Sequence, residues 1–380
     1  MNRTPVIAGV TALAVAGLGI GLAANGARVV TGTGTLAQQT TPASVLPRWG
    51  GDTGGQGGAN GPGGAPAQST TAAATAAQQV GVVDIDTVLG YQNAEAAGTG
   101  MVLTASGEIL TNNHVIQGAT SITVTVVSTG RTYRAGVVGT DPSEDIAVLR
   151  LTGASGLQPA RLGDSSAVAV GDAITGVGNA GGAGGTPSAA AGTVTALDQA
   201  ITASDESGAN AEKLTGLIEV DAQIRAGDSG GPLYDAAGEI IGMDTAAQTA
   251  RRQTVAGYAI PIDPARSIAA TIESATASTG TVHLGYPAFL GVSVAPDGTA
   301  SGAARGASVA GVLDGTPAAE AGLAAGDVIT SVGGVAVTSA DSLATALHRH
   351  RPADSVRLRW TDTSGQSHRA SVVLTRGPAD

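Results

Sequence analysis

From about residue 80 the chain alternates short apolar, β-branched runs with turn residues. Met101-Val102-Leu103, Ile122-Thr123-Val124-Thr125-Val126-Val127, Val137-Val138 and Ile146-Ala147-Val148-Leu149 alternate with segments rich in Gly, Asp, Ser and Thr. Many short strands at such spacing predict a sandwich or barrel, not a layered sheet with alternating helices. The pattern continues to about residue 261. Residues 263–277 then change to helical spacing, with Ile268 and Ile272 on one face. After a linker at 281–287, a second unit is expected from about 288 to 376. Its strands are predicted at 290–294, 307–313, 328–332, 355–361 and 369–374. A turn and short helix follow residue 316, and a helix over 341–349 starts from an Asp cap after Ser339. A hairpin turn is expected at Ser364-Gly365.

The region before residue 80 reads differently. Residues 6–24 are uncharged and mostly small or aliphatic, behind a single Arg3. That length suits an uncleaved membrane anchor within a 1–27 segment, with a cleaved signal peptide as the alternative. Either way the remainder is expected to be exported. Residues 28–79 are rich in Gly, Ala, Thr, Pro and Gln, a composition that cannot bury enough surface to order itself, so a flexible tether is expected.

Composition narrows the function classes. The formal net charge of −11 argues against a nucleic-acid partner, because a polyanion needs a basic footprint. The absence of cysteine excludes disulfides, Cys-ligated zinc and a thiol nucleophile. No cofactor or metal is expected.

The chemistry centres on Gly227-Asp228-Ser229-Gly230-Gly231-Pro232. Small neighbours leave the Ser229 hydroxyl open, and the glycines let backbone N–H groups turn toward one point, where a tetrahedral oxyanion would form. A serine needs a base. Of the five histidines only His114 lies in the first domain, just after the apolar Ile109-Leu110. The carboxylate is less constrained: Asp141, Asp145, Asp164, Asp172, Asp198, Asp205, Asp221 and Asp228 all lie between His114 and Ser229. Asp145 suits best, because it directly precedes the apolar run 146–149 and can be shielded there. Asp141, before Pro142, reads as a turn residue.

The order His114, Asp145, Ser229 is that of a chymotrypsin-like double β-barrel. The surrounding residues make a resemblance specific: Thr111-Asn112-Asn113-His114-Val115-Ile116, Asp145-Ile146-Ala147-Val148-Leu149 and 221–233 resemble HtrA-type, trypsin-fold serine proteases. Leu89-Gly90-Tyr91 and Gly98-Thr99-Gly100 are similar to the secreted actinobacterial, PepA-type members. The resemblance implies a mostly β fold, with a protease domain at 80–280 followed by an α+β PDZ domain at 288–376. It implies Ser229 as nucleophile, His114 as base, Asp145 as its orienting acid, and the N–H groups of Gly227 and Ser229 as the oxyanion hole. Thr245 and Ala246 would lie on the strand that pairs with a polypeptide substrate.

Family members usually carry Asn-Pro-Gly-Asn before the serine. Here Arg225-Ala226-Gly227-Asp228 stands in that place, and Arg225 or another arginine is expected as the counter-charge of Asp228. Gln223 six residues before Ser229, with Ile224 beside it, implies a pocket for small or aliphatic P1 side chains. In the second domain, Phe289-Leu290-Gly291-Val292 resembles the carboxylate-binding loop of protease-associated PDZ domains, which takes a peptide C-terminus. Leu343 and Leu347 either line that groove or belong to the core. Assembly into a homotrimer is common in the family. An inactive barrel serving as a peptide-binding scaffold, and a processing protease with few substrates, are the competing readings.

Overall fold

In the computed structural model the described residues are 14–15, 71–204, 212–250, 253–295 and 305–379. The predicted apolar segment lies outside them except for Ala14–Val15, a short strand paired with residues 203 and 204. Most of the expected tether lies outside them as well. Among the described residues no helix is long and apolar enough to cross a membrane.

The first barrel follows the chain through Val82–Leu89, Ala94–Val102, Glu108–Thr111, Ser121–Val126, Arg131–Asp141 and Ile146–Leu151. It closes where Arg131–Asp141 meets Ile146–Leu151. The second runs through Ala173–Gly178, Ser188–Ser204, Glu212–Val220, Pro232–Asp235, Ile240–Ala250 and Gln253–Pro261, and closes where Ala173–Gly178 meets Ser188–Ser204.

The unbroken apolar runs of the sequence follow from a two-sided burial. Successive strand residues point to opposite faces. Val102, Ile109, Ala147 and Leu149 fill the first barrel, while Met101, Leu110, Ile146 and Val148 point the other way into the cluster shared with the second barrel and the helix Ile262–Ser274. That helix buries Ile262, Ala265, Ala269 and Ile272. Each fully buried aliphatic side chain contributes about 1.5–3 kcal/mol, so a core almost free of aromatics is still adequate.

Ordered chain begins earlier than composition suggests. Thr71–Ala73 pairs with residues 188–190, Ala74 is buried, and the Tyr234 hydroxyl donates to the Gln78 carbonyl at 3.0 Å. Backbone pairing with an existing sheet edge orders this stretch, where side-chain burial alone could not. The expected linker also differs: His283–Leu284 adds as a strand against Thr140 and Gly139.

The second unit has a sheet of Val292–Val294, Ala307–Val312, Val328–Val332, Ser355–Thr361 and Ser367–Val373 in that order, with helices Pro317–Ala321 and Ala340–Leu347. The longer helix is capped by Ser339, not by Asp341. The Ser339 hydroxyl accepts the Ser342 N–H at 3.1 Å and the Ser342 hydroxyl accepts the Ser339 N–H at 2.9 Å, a reciprocal box. Leu343 is buried in this unit's core, and Leu347, half-buried, packs against it. The chain then returns to the first barrel. Ala379 is 2% exposed within its core cluster and exchanges hydrogen bonds with the Gly118 N–H and the Ala119 carbonyl, both 2.8 Å.

Candidate active site

His114 lies in a single helical turn, Asn113–Ile116, just after the strand Glu108–Thr111. Asp145 sits across from it, at the exit of a short 3₁₀ turn, with φ 55° and ψ 42°. This left-handed conformation is one that Asp tolerates better than most residues. It turns both the carbonyl and the carboxylate of Asp145 toward the histidine turn. The carbonyl accepts from Asn112 Nδ2 at 3.1 Å and from the Asn113 N–H at 3.2 Å. The carboxylate accepts the His114 backbone N–H at 3.0 Å on Oδ1, and His114 Nδ1 lies 2.8 Å from Oδ2. Thr245 Oγ1 donates to the same Oδ2 at 2.6 Å. Asp145 has no solvent exposure, and these donors replace its water. His114 is thereby held with Nδ1 toward the acid, which leaves Nε2 as the nitrogen able to accept a proton.

Ser229 is 3% exposed, and its hydroxyl donates to the Thr245 carbonyl at 3.1 Å. Thr245 therefore touches both ends of the site, the acid through its hydroxyl and the serine through its carbonyl. The loop before Ser229 is pinned from two sides. Thr99 Oγ1 donates to the Gly227 carbonyl at 2.7 Å, and the Gly181 N–H donates to the Ala226 carbonyl at 2.7 Å. Gly227 has φ +94°, and a Cβ there would stand 2.2 Å from the Asn179 carbonyl oxygen. Gly230 has φ +84° and meets the Thr99 carbonyl oxygen at 2.1 Å in the same way. Both positions thus exclude a side chain on two counts. Among the described residues the N–H groups of Gly227 and Ser229 donate to no other group of the chain, so both remain free to donate to a ligand oxygen.

Two acids lie beneath this loop. Asp228 Oδ2 accepts the backbone N–H of Arg225 at 2.8 Å. The Arg225 guanidinium instead donates to Gln223 Oε1 at 2.9 Å. The hydrogen bond to the buried carboxylate thus comes from the main chain, because a three-residue turn brings the Arg225 N–H to it, while the expected arginine acts on Asp228 through its charge alone. Burial pushes the Asp228 carboxyl up to about 7, against smaller lowering contributions from Arg225 and the Ser188 hydroxyl. Asp244 has no solvent exposure, and neither of its carboxylate oxygens has a hydrogen-bond partner among the described residues. Burial, then the charge of Asp228, raise it well above the usual carboxylate range.

A family profile described as a trypsin-like peptidase domain matches residues 98–243, and one described as a PDZ domain matches residues 288–361. The chain is 35% identical over 309 residues to the serine protease PepD of Mycobacterium tuberculosis (strain ATCC 25618 / H37Rv), covering 77% of this chain and 63% of that protein. It is 36% identical over 269 residues to the periplasmic pH-dependent serine endoprotease DegQ of Escherichia coli (strain K12), covering 70% and 56%. The chain belongs with the HtrA-type serine proteases. It spans between half and two thirds of the length of these relatives. Among solved structures it is similar to the HtrA-type protease AlgW with tripeptide, at 28% identity and a TM-score of 0.47, covering 80% of this chain and 97% of that one.

In this HtrA-type chain the structure brings His114, Asp145, Ser229, Gly227 and Thr245 together where the two barrels meet. Ile224 is 2% exposed and packs in the second barrel's core. It fills the space beside two glycines: a Cβ at Gly176 would reach its Cδ1 at 2.4 Å, and one at Gly257 its Cγ1 at 2.5 Å. Ala246 is a strand residue in register with Tyr258, with a ladder irregularity at Thr245 between it and Asp244. Phe289, Leu290, Gly291 and Val292 lie apart from these, in the second unit. Phe289 sets its ring 5.1 Å from that of Tyr91 in the first barrel. Leu290 is buried and Gly291 has φ +87°. Their carbonyls accept from the Ala318 and Leu313 N–H groups at 2.9 and 3.0 Å, while the N–H groups of Leu290 and Gly291 have no acceptor among the described residues.

Sequence reasoning missed the Thr99 hydroxyl, the Thr245 hydroxyl and Asp244. Thr99 was visible only as part of a glycine-flanked pattern. Thr245 was read for its backbone alone.

Proposed function

We propose that this chain is an exported serine endopeptidase acting through His114, Asp145 and Ser229. The observation that carries the reading is the buried Asp145 carboxylate, which takes a His114 donor and the Thr245 hydroxyl within 2.8 Å while Thr245 also holds the Ser229 hydroxyl. An orienting acid that is dry, fully hydrogen-bonded and shared with the nucleophile's own support serves tautomer control. Ser229 Oγ would attack the scissile carbonyl as His114 Nε2 takes its proton. The oxyanion would collect the N–H groups of Gly227 and Ser229. His114 would return the proton to the leaving amine, and water would then release the acyl group by the same base.

The location follows from the relatives named periplasmic, and residues 6–24 would supply the membrane anchor or export signal. Unfolded or selected extracytoplasmic polypeptides are the substrates. Ile224 closes the space between Gly176 and Gly257, so the pocket beside it suits small or aliphatic P1 side chains. The free N–H groups of Leu290 and Gly291 would receive a peptide C-terminal carboxylate, with Val292 at the adjoining sheet edge. Homotrimer assembly through the barrel is kept as part of the proposal.

The decisive test is casein and peptide turnover by the full chain beside Ser229→Ala, with a fluorophosphonate label on both. Turnover should fall about 10⁶-fold in the variant, and the label should mark only the parent. An unlabelled, inactive parent would favour the scaffold reading.

A further inference from the structure

A cavity of about 820 Å³ opens where the segment 276–287 passes between the barrel and the PDZ unit. Its walls come from that segment, from the end of the helix Ala340–Leu347 and the turn after it, and from the strand Thr375–Arg376. Three arginines and three histidines line it: Arg349, Arg351, Arg376, His283, His348 and His350. No Asp or Glu lines it among the described residues. In a chain of net charge −11 with only five histidines, this is a strong local reversal of sign.

The arrangement is held, not splayed. Arg351 donates to the Thr276 carbonyl at 3.3 Å, which crosses the cavity mouth from the PDZ side to the linker side. The Arg376 guanidinium lies 3.4 Å over the Tyr286 ring. His283 and His348 set their rings 4.9 Å apart across the same divide. Beside the cavity, Asp354 accepts the Arg351 backbone N–H at 2.9 Å and stands 3.6 Å from His350 Nδ1. Among the described residues none of the three arginine side chains has a carboxylate partner. A second cavity of about 440 Å³ shares His350 and adds Arg357 and Arg359, again with no acid.

Like charges gathered in a concave, half-enclosed site repel one another and focus a positive potential onto whatever enters. Guanidinium forks match oxyanions in bidentate geometry. The larger volume falls within the range of small-ligand sites. We infer that this cleft binds a compact, multiply charged oxyanion, a phosphate-bearing or polycarboxylate small molecule, and that the anion bridges the linker and the PDZ unit. Bound there, it would tie Arg349, Arg351 and Arg376 to the segment that leads back to barrel strand Arg131–Asp141 through His283–Leu284. The anion is thus a ligand of the interdomain joint and not of the hydrolytic site.

Isothermal titration of the full chain with inorganic tripolyphosphate and with citrate, in a chloride buffer, reads this directly. Saturable one-to-one binding of either is expected, with hydrogen-exchange protection at 276–287 and 348–352. Arg349→Gln with Arg351→Gln should weaken binding roughly 10-fold or more, whereas Arg131→Gln, on an exposed barrel strand, should not. Unliganded melting temperatures of both variants serve as the folding check, since these side chains are solvent-exposed. Preference for one probe assigns the phosphate or the carboxylate class. Absence of saturable binding, or equal loss in the Arg131 control, overturns the proposal. Because ligand binding is read without turnover, its failure is independent of any failure of the proteolytic reading.

Discussion

Two joints organise this molecule, and they are opposite in kind. The joint between the barrels is dry and acidic: Asp145, Asp228 and Asp244 are all at most 3% exposed. The joint between barrel and PDZ unit is open and basic, with three arginines and three histidines around a cavity. In the first, burial controls every carboxyl, and fixed donors reach Asp145 and Asp228 but not Asp244. In the second, charges face solvent and await a counter-ion. The lesson is that the protein uses desolvation to tune chemistry where bonds would break, and unscreened charge to make affinity where domains meet. The first arrangement is intolerant of substitution; the second is graded.

The predictions test how sharp that contrast is. Asp145→Asn should have the largest effect, a fall in kcat of about 10⁴ with the fold retained, since an amide favours the wrong histidine tautomer. Peptide turnover and circular dichroism on the same sample check it; a loss under 10-fold would mean that the buried acid does not orient His114.

The raised Asp228 carboxyl gives a stability test. The folded state holds the proton up to about 7 and the unfolded chain releases it near 3.8, so folding stability contributed here is lost as pH rises between those values. The scale is about 4 kcal/mol. Asp228→Asn, which can still accept the Arg225 N–H, should flatten that decline. Urea denaturation at pH 5 and pH 8 measures it, and parallel curves for variant and parent would show that Asp228 is ionised as usual.

Thr245→Val removes the hydroxyl on Asp145 while keeping the carbonyl that holds Ser229. A loss of roughly 10-fold in kcat, with KM little changed, is expected for one hydrogen bond to a buried charge. The smallest effect belongs outside both joints. Arg161 and Glu239 pair at 2.7 Å on the surface, and Glu239→Gln should shift stability by no more than about 1 kcal/mol. A larger shift would blur the distinction between buried and exposed charge.

Legibility in the sequence followed the same divide. Ser229, His114 and Asp145 announce themselves through glycines, uniqueness and adjacency to an apolar run, all local signals. The strands were legible because both barrel faces demand aliphatic residues. The partners of those groups were not. Asp228 looked in need of an arginine, and only the turn at 225–228 shows that a main-chain N–H arrives first. Asp244 lies within an ordinary strand and becomes unusual only once Asp228 is beside it. Ile224 was expected to line a pocket, and its packing against two glycine backbones depends on residues 48 and 33 positions away in the sequence. The basic cleft has no motif at all, because His283 and Arg376 join His348, Arg349, His350 and Arg351 from segments far apart in the sequence. The early ordering at 71–79 escaped notice because backbone pairing leaves no compositional trace.

The docking of Ala379 has a practical side. Its two backbone hydrogen bonds reach Gly118 and Ala119, only a few residues beyond His114. A purification handle fused after this residue would therefore tug on the loop that follows the histidine turn. Activity assays made with such a fusion would report the handle as much as the enzyme. Removing the handle by cleavage separates the two.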